Sequence, residues 1–161
     1  MHDAGAYGSD LVSDIVGQSR AFTFPKSLYA ERDSIKMVVG NNPDALIVDF
    51  FAGSGTTLHA VNLLNAEDNG NRRCVLVTNN EVANEDAEIL RTKGFKPGDQ
   101  EWESHGICKS VTWPRTTHSI LGRLDDGTSL NGEYFASTNV EKSYPRTFRK
   151  LDFTTKEMVE N

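Results

Sequence analysis

Cysteine is scarce in this chain of 161 residues, with only Cys74 and Cys108 present. Two cysteines make no disulfide framework and fit a reducing compartment. Cys74 stands beside an apolar run and reads as a small buried hydrophobe. Cys108 has His105 nearby, but a metal site needs about four ligands and no second pair accompanies this one. Long apolar runs are also missing, so no segment approaches membrane-spanning length. The first residues lack the pattern of a secretory signal, and a cytoplasmic protein is expected. Positive charge is not in excess: 17 Lys and Arg stand against 23 Asp and Glu, a net charge of −6. With a pI near 5.2, a free-standing nucleic-acid binder is disfavoured, although a larger enzyme can carry its basic surface elsewhere. The five prolines, Pro25, Pro43, Pro97, Pro114 and Pro145, are nowhere adjacent. The length suits one domain, or a domain with a tail, able to bury a core.

The most informative stretch present runs from Leu46 to Asn65. Leu46, Ile47 and Val48 make an apolar, β-branched run ended by Asp49. Phe50, Phe51 and Ala52 lead into Gly53-Ser54-Gly55, and Thr56 and Thr57 are placed to cap a helix with Leu58, Val61 and Leu64 on one face. A strand that ends in glycines and opens a helix lets a ligand approach bare backbone at the carboxyl edge of a parallel sheet. Short Gly-X-Gly turns also occur without any ligand, so this motif alone decides nothing. Position 58 is Leu where a dinucleotide fingerprint has its third glycine, and no lysine follows Gly55 as in a P-loop. The turn is shaped for close backbone approach but not for pyrophosphate.

Around it the pattern alternates. Residues 1–20 read as a flexible lead, a loop with at most one turn of helix over Leu11 to Val16. Phe22 to Lys26 is extended because Pro25 biases Phe24 away from helix. Ser27 is a plausible N-cap for a helix with Leu28, Arg32, Ile35 and Val39 on helical spacing, stopped by Gly40-Asn41-Asn42-Pro43. Asn69-Gly70-Asn71 is a turn, Arg73 to Thr78 a second strand, and Asn84 to Lys93 an amphipathic helix ending at Gly94. Strand, helix, strand, helix implies a parallel sheet with right-handed crossovers. Gly106 to Pro114 reads as extended, with Ile107 and Val111 inward. Asp126-Gly127 and Asn131-Gly132 are hairpin-type turns. Residues 141–150 are the one locally basic stretch, either a solvated surface or a contact for nucleic-acid phosphates.

Two further features stand near the glycine turn. One strand, one helix and one turn separate Glu81 from Asp49, which brings Glu81 to the same sheet edge. There it could accept two hydrogen bonds from a ribose diol, or simply favour the dipole of the next helix. Lys26 and Ser27 stand at a helix start and could meet a carboxylate or phosphate, or be ordinary exposed surface. A ligand with a carboxylate at one end and a nucleoside at the other would use all three places. S-adenosylmethionine has that shape and no phosphate.

The residues now carry a resemblance. VDFFAGSGTTLHAV resembles motif I of the amino-methylating DNA methyltransferases, in the β-class version seen in type III modification subunits. FTFPKSLYAERDSIKMVV is similar to their motif X, with Ser27 where a second proline is usual, and CVLVTNNE to their motif II. HGICKSVTWPR resembles a segment that often follows. The resemblance covers residues 11–120. It implies a Rossmann-like α/β core with a parallel sheet and flanking helices, binding S-adenosylmethionine and acting in adenine methylation of a specific DNA sequence. It implies that Phe50, Phe51, Ala52, Gly53, Ser54, Gly55 and Thr56 lie along the methionine part of the cofactor and Glu81 on its ribose. Asp49 would orient the loop or meet the cofactor amine, and Lys26 or Ser27 would meet the carboxylate.

These enzymes also need an Asp/Asn/Ser-Pro-Pro-aromatic motif to hold a flipped base. With no adjacent prolines, this chain has no such motif and no residue assignable to the target base. In one permutation class the catalytic motif comes before motifs X and I. The chain therefore reads as the carboxyl-terminal, cofactor-binding portion of such an enzyme, inactive alone. The implied division is a lead over 1–20, a cofactor-binding unit over 21–120 and an irregular or hairpin extension over 121–161. DNA would be met through the full-length enzyme. The other implied partners are the missing amino-terminal half, a restriction subunit or a second copy, with no membrane. Rival readings are another nucleotide-binding enzyme on a similar fold, an assembly module with an empty pocket, and methylation of RNA or protein.

Overall fold

A computed structural model of the protein describes residues 6–18 and 22–131. The Asn131-Gly132 turn, the basic stretch 141–150 and most of the 121–161 extension fall outside them. A π-helical turn, Ala6–Asp10, leads into helix α1, Leu11–Val16. The loop expected here is thus helical, for a reason visible in its side chains. Leu11, Val12, Ile15 and Val16 are all buried, so tertiary packing stabilises a helix far too short to stand alone. Leu11 and Ile15 join Leu28, Tyr29, Ala60 and Leu63 in one core cluster, while Val12 and Val16 meet Val111 in another.

Helix α2, Leu28–Val39, starts where Ser27 is extended and ends at Gly40. Ser27 holds the cap position without a side-chain cap bond. Strand β1, Leu46–Asp49, is followed by the glycine turn and helix α3, Thr56–Asp68. Strand β2, Arg73–Leu76, pairs in parallel with β1, Leu46 opposite Arg73 and Asp49 opposite Leu76. The pairing continues past both strands: Val77 N–H donates to Asp49 C=O at 2.8 Å, and Ala52 N–H to Val77 C=O at 3.2 Å. Helix α4, Asn84–Thr92, and helix α5, Gln100–Ser104, share a satellite core of Ala87, Leu90 and Trp102.

Three expectations change. The capping role given to Thr56 and Thr57 falls to Gly55, and both threonines are already helical. α3 is buried around most of its circumference rather than on one face, because α2, β2 and the helix over Trp113–Leu121 all pack on it. The extended segment expected over residues 106–114 is instead a π-helical turn, Cys108–Thr112, running into helix α6, Trp113–Leu121. Ile107 and Val111 do pack inward together, at the i, i+4 spacing of a helix face. Pro114 stands in the first turn of α6, where a missing N–H costs least. Near the end of the described residues, an isolated antiparallel bridge joins Arg123 to Ser129 across Asp126-Gly127, with Gly127 at φ +88°.

The fold is therefore mixed α/β, with a two-stranded parallel sheet and flanking helices. Among the described residues no helix is long and apolar enough to cross a membrane.

Candidate cofactor site

The turn after β1 is built from its own side chains and from two distant helices. Asp49 works in both directions along the chain. Its Oδ1 accepts the Phe51 N–H at 2.9 Å, and its Oδ2 accepts the Thr57 hydroxyl at 2.6 Å. The aspartate therefore ties the end of β1 to the start of α3. Gly53 and Gly55 adopt φ of +50° and +77°, a region that costs other L-residues free energy. A Cβ on Gly55 would also stand 3.4 Å from the Thr112 methyl.

The side chains of the turn divide into two groups. Phe50 and Phe51 are exposed, the latter 91%. Ala52, Ser54, Gly55 and Thr56 are buried, and Gly53 is half-buried. Ser54 and Thr56 face each other, their hydroxyl oxygens 3.1 Å apart. Both are engaged by Arg115 of α6. Its Nη1 donates to Thr56 Oγ1 at 2.8 Å, to Ser54 Oγ at 3.0 Å and to the Ser54 carbonyl at 3.3 Å. Thr112 adds a bond from its hydroxyl to the Gly53 carbonyl at 2.6 Å. The hydroxyls of Ser54 and Thr56 are thus turned into the protein, and what these residues can offer a ligand is backbone.

Arg115 is fully buried, and burial pulls its guanidinium down to about 9. That is still protonated at neutral pH. Sequence reading missed this residue because arginine normally marks surface. The one available signal was its place in the apolar and hydroxyl-rich run VTWPRTTHS.

At the same sheet edge, Glu81 is exposed four residues beyond the Val77 that pairs with Asp49 and Ala52. Its backbone is pinned from outside, since Ile107 N–H donates to the Glu81 carbonyl at 2.9 Å. Asn80 reinforces the segment. Its amide donates to the Glu103 carbonyl at 2.8 Å, and its oxygen accepts the Lys109 N–H at 3.1 Å. Among the described residues the Glu81 carboxylate meets only a weak donor, Asn79 Nδ2 at 3.4 Å, and the residue is exposed.

Lys26 is mostly exposed and lies 3.7 Å from Glu31, whose other oxygen is 3.2 Å from the Thr57 hydroxyl. Lys26, Glu31, Thr57 and Asp49 therefore form one polar chain linking the start of α2 to the glycine turn. Ser27 is half-buried beside it. Phe22, upstream of both, stands over the turn: a Cβ on Gly53 would be 3.5 Å from its ring. An open cavity of about 1240 Å³ is lined by Phe22 and Thr23 together with Asp10, Asp14 and Glu85. None of the cofactor residues expected from the sequence lines it.

Cys74 sits on β2, where burial and the neighbouring Asp49 charge push its thiol up to about 12, leaving it protonated and unreactive. Among the described residues no group of three or more His, Cys, Asp or Glu is placed to hold a metal ion.

Over part of its length the chain is homologous to type II and type III DNA methyltransferases of restriction–modification systems. It is 47% identical over 97 residues to the type II methyltransferase M.KpnI of Klebsiella pneumoniae, covering 59% of this chain and 22% of that protein. It is 34% identical over 93 residues to the Mod subunit of the type III restriction-modification enzyme StyLTI of Salmonella typhimurium, covering 58% and 14%. With the EcoPI Mod subunit of Escherichia phage P1 it shares 41% identity over 66 residues, covering 41% and 10%. The matched part spans no more than about a fifth of each relative. No protein-family model matches the chain.

Proposed function

We propose that this chain is the S-adenosylmethionine-binding portion of a DNA methyltransferase that modifies an adenine amino group in a specific sequence. The observation that carries the reading is the register of β1 and β2. It pairs Val77, four residues before Glu81, with Asp49 and Ala52 on either side of the entry to the left-handed glycine turn, which supports a shared site. The residue types fit the cofactor. Backbone at Gly53 and Gly55 admits close approach, Phe50 and Phe51 offer apolar cover, and the open Glu81 carboxylate suits a ribose diol. Lys26 or Ser27 would meet the carboxylate of the methionine part. Asp49 would orient the loop or meet the cofactor amine.

When bound, the cofactor supplies an activated methyl group. The part taken by this chain is to bind, orient and shield from water, which converts an encounter into a positioned reaction. No described residue is assigned to the target base, so DNA methylation needs further protein. A restriction subunit is a natural partner to test, because two relatives are Mod subunits of type III restriction-modification enzymes. A Rossmann-like core, completed by strands outside this chain, is part of the same proposal.

Calorimetric titration of the 161-residue chain with S-adenosylmethionine, and with NAD as control, tests the reading. Binding of S-adenosylmethionine in the micromolar range without NAD binding is expected. Preference for NAD, or no binding by a folded chain, would count against it.

A further inference from the structure

We propose that Arg115 is a positioning residue for the glycine turn, holding Ser54 and Thr56 so that the backbone of Gly53–Thr56 keeps its binding shape without a ligand. This rests on reading the turn as the S-adenosylmethionine site.

Arg72 provides the contrast. Its side chain is also fully buried, but it is paired with Asp68 at 2.8 Å. It further donates to the carbonyls of Val39 and Gly40 and to Asn65 Oδ1. That guanidinium is satisfied on every side, as a structural arginine should be. Arg115 is not. Among the described residues only Nη1 is used, Nε and Nη2 are buried without a hydrogen-bond partner, and no carboxylate pairs with it. A buried cation in this state is unfavourable, and an apolar side chain of similar volume would serve packing alone better. The bonds it does make all fall on the turn, 59 and 61 positions away in sequence. Thr112, one helical turn earlier, grips the neighbouring Gly53 carbonyl. The unfavourable arginine is thus spent on the shape of the turn.

The turn also needs such a hold. Gly53 and Gly55 have no Cβ to restrict them, and a glycine-rich loop loses more backbone entropy on ordering than any other. A turn ordered beforehand does not charge that entropy to ligand binding.

The test compares Arg115→Met with Arg115→Lys in the full chain. The methionine removes donors and charge but keeps volume, whereas the lysine restores a cationic donor at one point. Amide hydrogen exchange is read at residues 53–57 and in β2, alongside affinity for S-adenosylmethionine. Arg115→Met is expected to unfold thermally no earlier than the parent chain, yet to exchange at least about tenfold faster at residues 53–57 alone. Its affinity for S-adenosylmethionine should fall by about tenfold or more. Arg115→Lys should recover most of both. Unchanged exchange in the turn of a folded Arg115→Met chain would overturn the proposal. So would faster exchange spread evenly over β2 and the turn, which is what a general packing role would give. If Arg115→Met does not fold, Thr56→Val decides, because it removes the 2.8 Å acceptor and leaves the arginine in place. Local loosening of the turn supports the hold and unchanged exchange overturns it. If the parent chain binds no S-adenosylmethionine, the proposed function fails by itself, and the exchange measurement still decides on Arg115.

Discussion

Arg72 and Asp68 show how single side chains join the elements behind the site. The Arg72 hydrogen bond holds the Asp68 carboxyl below the usual carboxylate range, helped by the Gly70 N–H and offset by burial. The folded pKa is lower than the unfolded one. The pair's contribution is therefore present above the ordinary aspartate pKa and is lost as pH falls through the lowered value. Asp68 is 38% exposed, so solvent screening limits the effect. Asp68→Asn should cost no more than about 1 kcal/mol at neutral pH. Denaturant melts at pH 7 and pH 3 should show the difference from the parent chain shrinking at the lower pH. Glu81 is the functional counterpart at this scale. Its carboxylate is not committed to a strong internal bond, so Glu81→Ala should leave stability unchanged. It should weaken S-adenosylmethionine binding by about 10- to 100-fold, the worth of hydrogen bonds to a charged acceptor. Calorimetry beside thermal melts separates the two effects.

Among the elements, the glycine turn is the most sensitive. Gly55→Ala should destabilise the chain by about 1–2 kcal/mol, from the left-handed backbone alone, with the new methyl also pressing on Thr112. Urea denaturation at constant slope would check this. The turn and its flanking elements were legible in the sequence because periodicity, glycine and turn residues agree there. β1, β2, α2 and α4 fall within a residue or two of their expected bounds. The segment after His105 was not legible. Val111 and Thr112 are β-branched and suggest a strand, and Pro114 suggests a break. The packing of Ile107 and Val111 against Val12 and Val16 nevertheless makes that stretch helical. The consequence reached the site, since the missed helix carries Thr112 and Arg115. α1 was expected as no more than one turn for the same reason: its six residues fold through burial, which a local window does not contain. The glycine turn was legible as a turn, but the inward facing of Ser54 and Thr56 was not, because it depends on a partner about sixty positions away.

At the scale of the whole molecule, one side of the sheet is left uncovered among the described residues. Leu46, Val48, Val75 and Val77 alternate along the two strands and share that face, each between 43% and 53% exposed. Phe50 continues it at 67%. A two-stranded sheet is marginal by itself, and an apolar face with open edges invites pairing. The chain should therefore self-associate with rising concentration in sedimentation velocity. Val48→Lys with Val75→Lys should reduce that association without abolishing the fold, and monomeric behaviour of the parent chain at all concentrations would refute it. The claim at the centre of this picture is that the glycine turn, Glu81 and the start of α2 form one cofactor site. The most direct measurement is an amide NMR titration of the isotopically labelled chain with S-adenosylhomocysteine. Shifts should concentrate at residues 50–56, at Asn80 and Glu81, and at Lys26 and Ser27. Shifts confined to one of these segments, or centred on the cavity beside Asp10, Asp14 and Glu85, would contradict a single composite site.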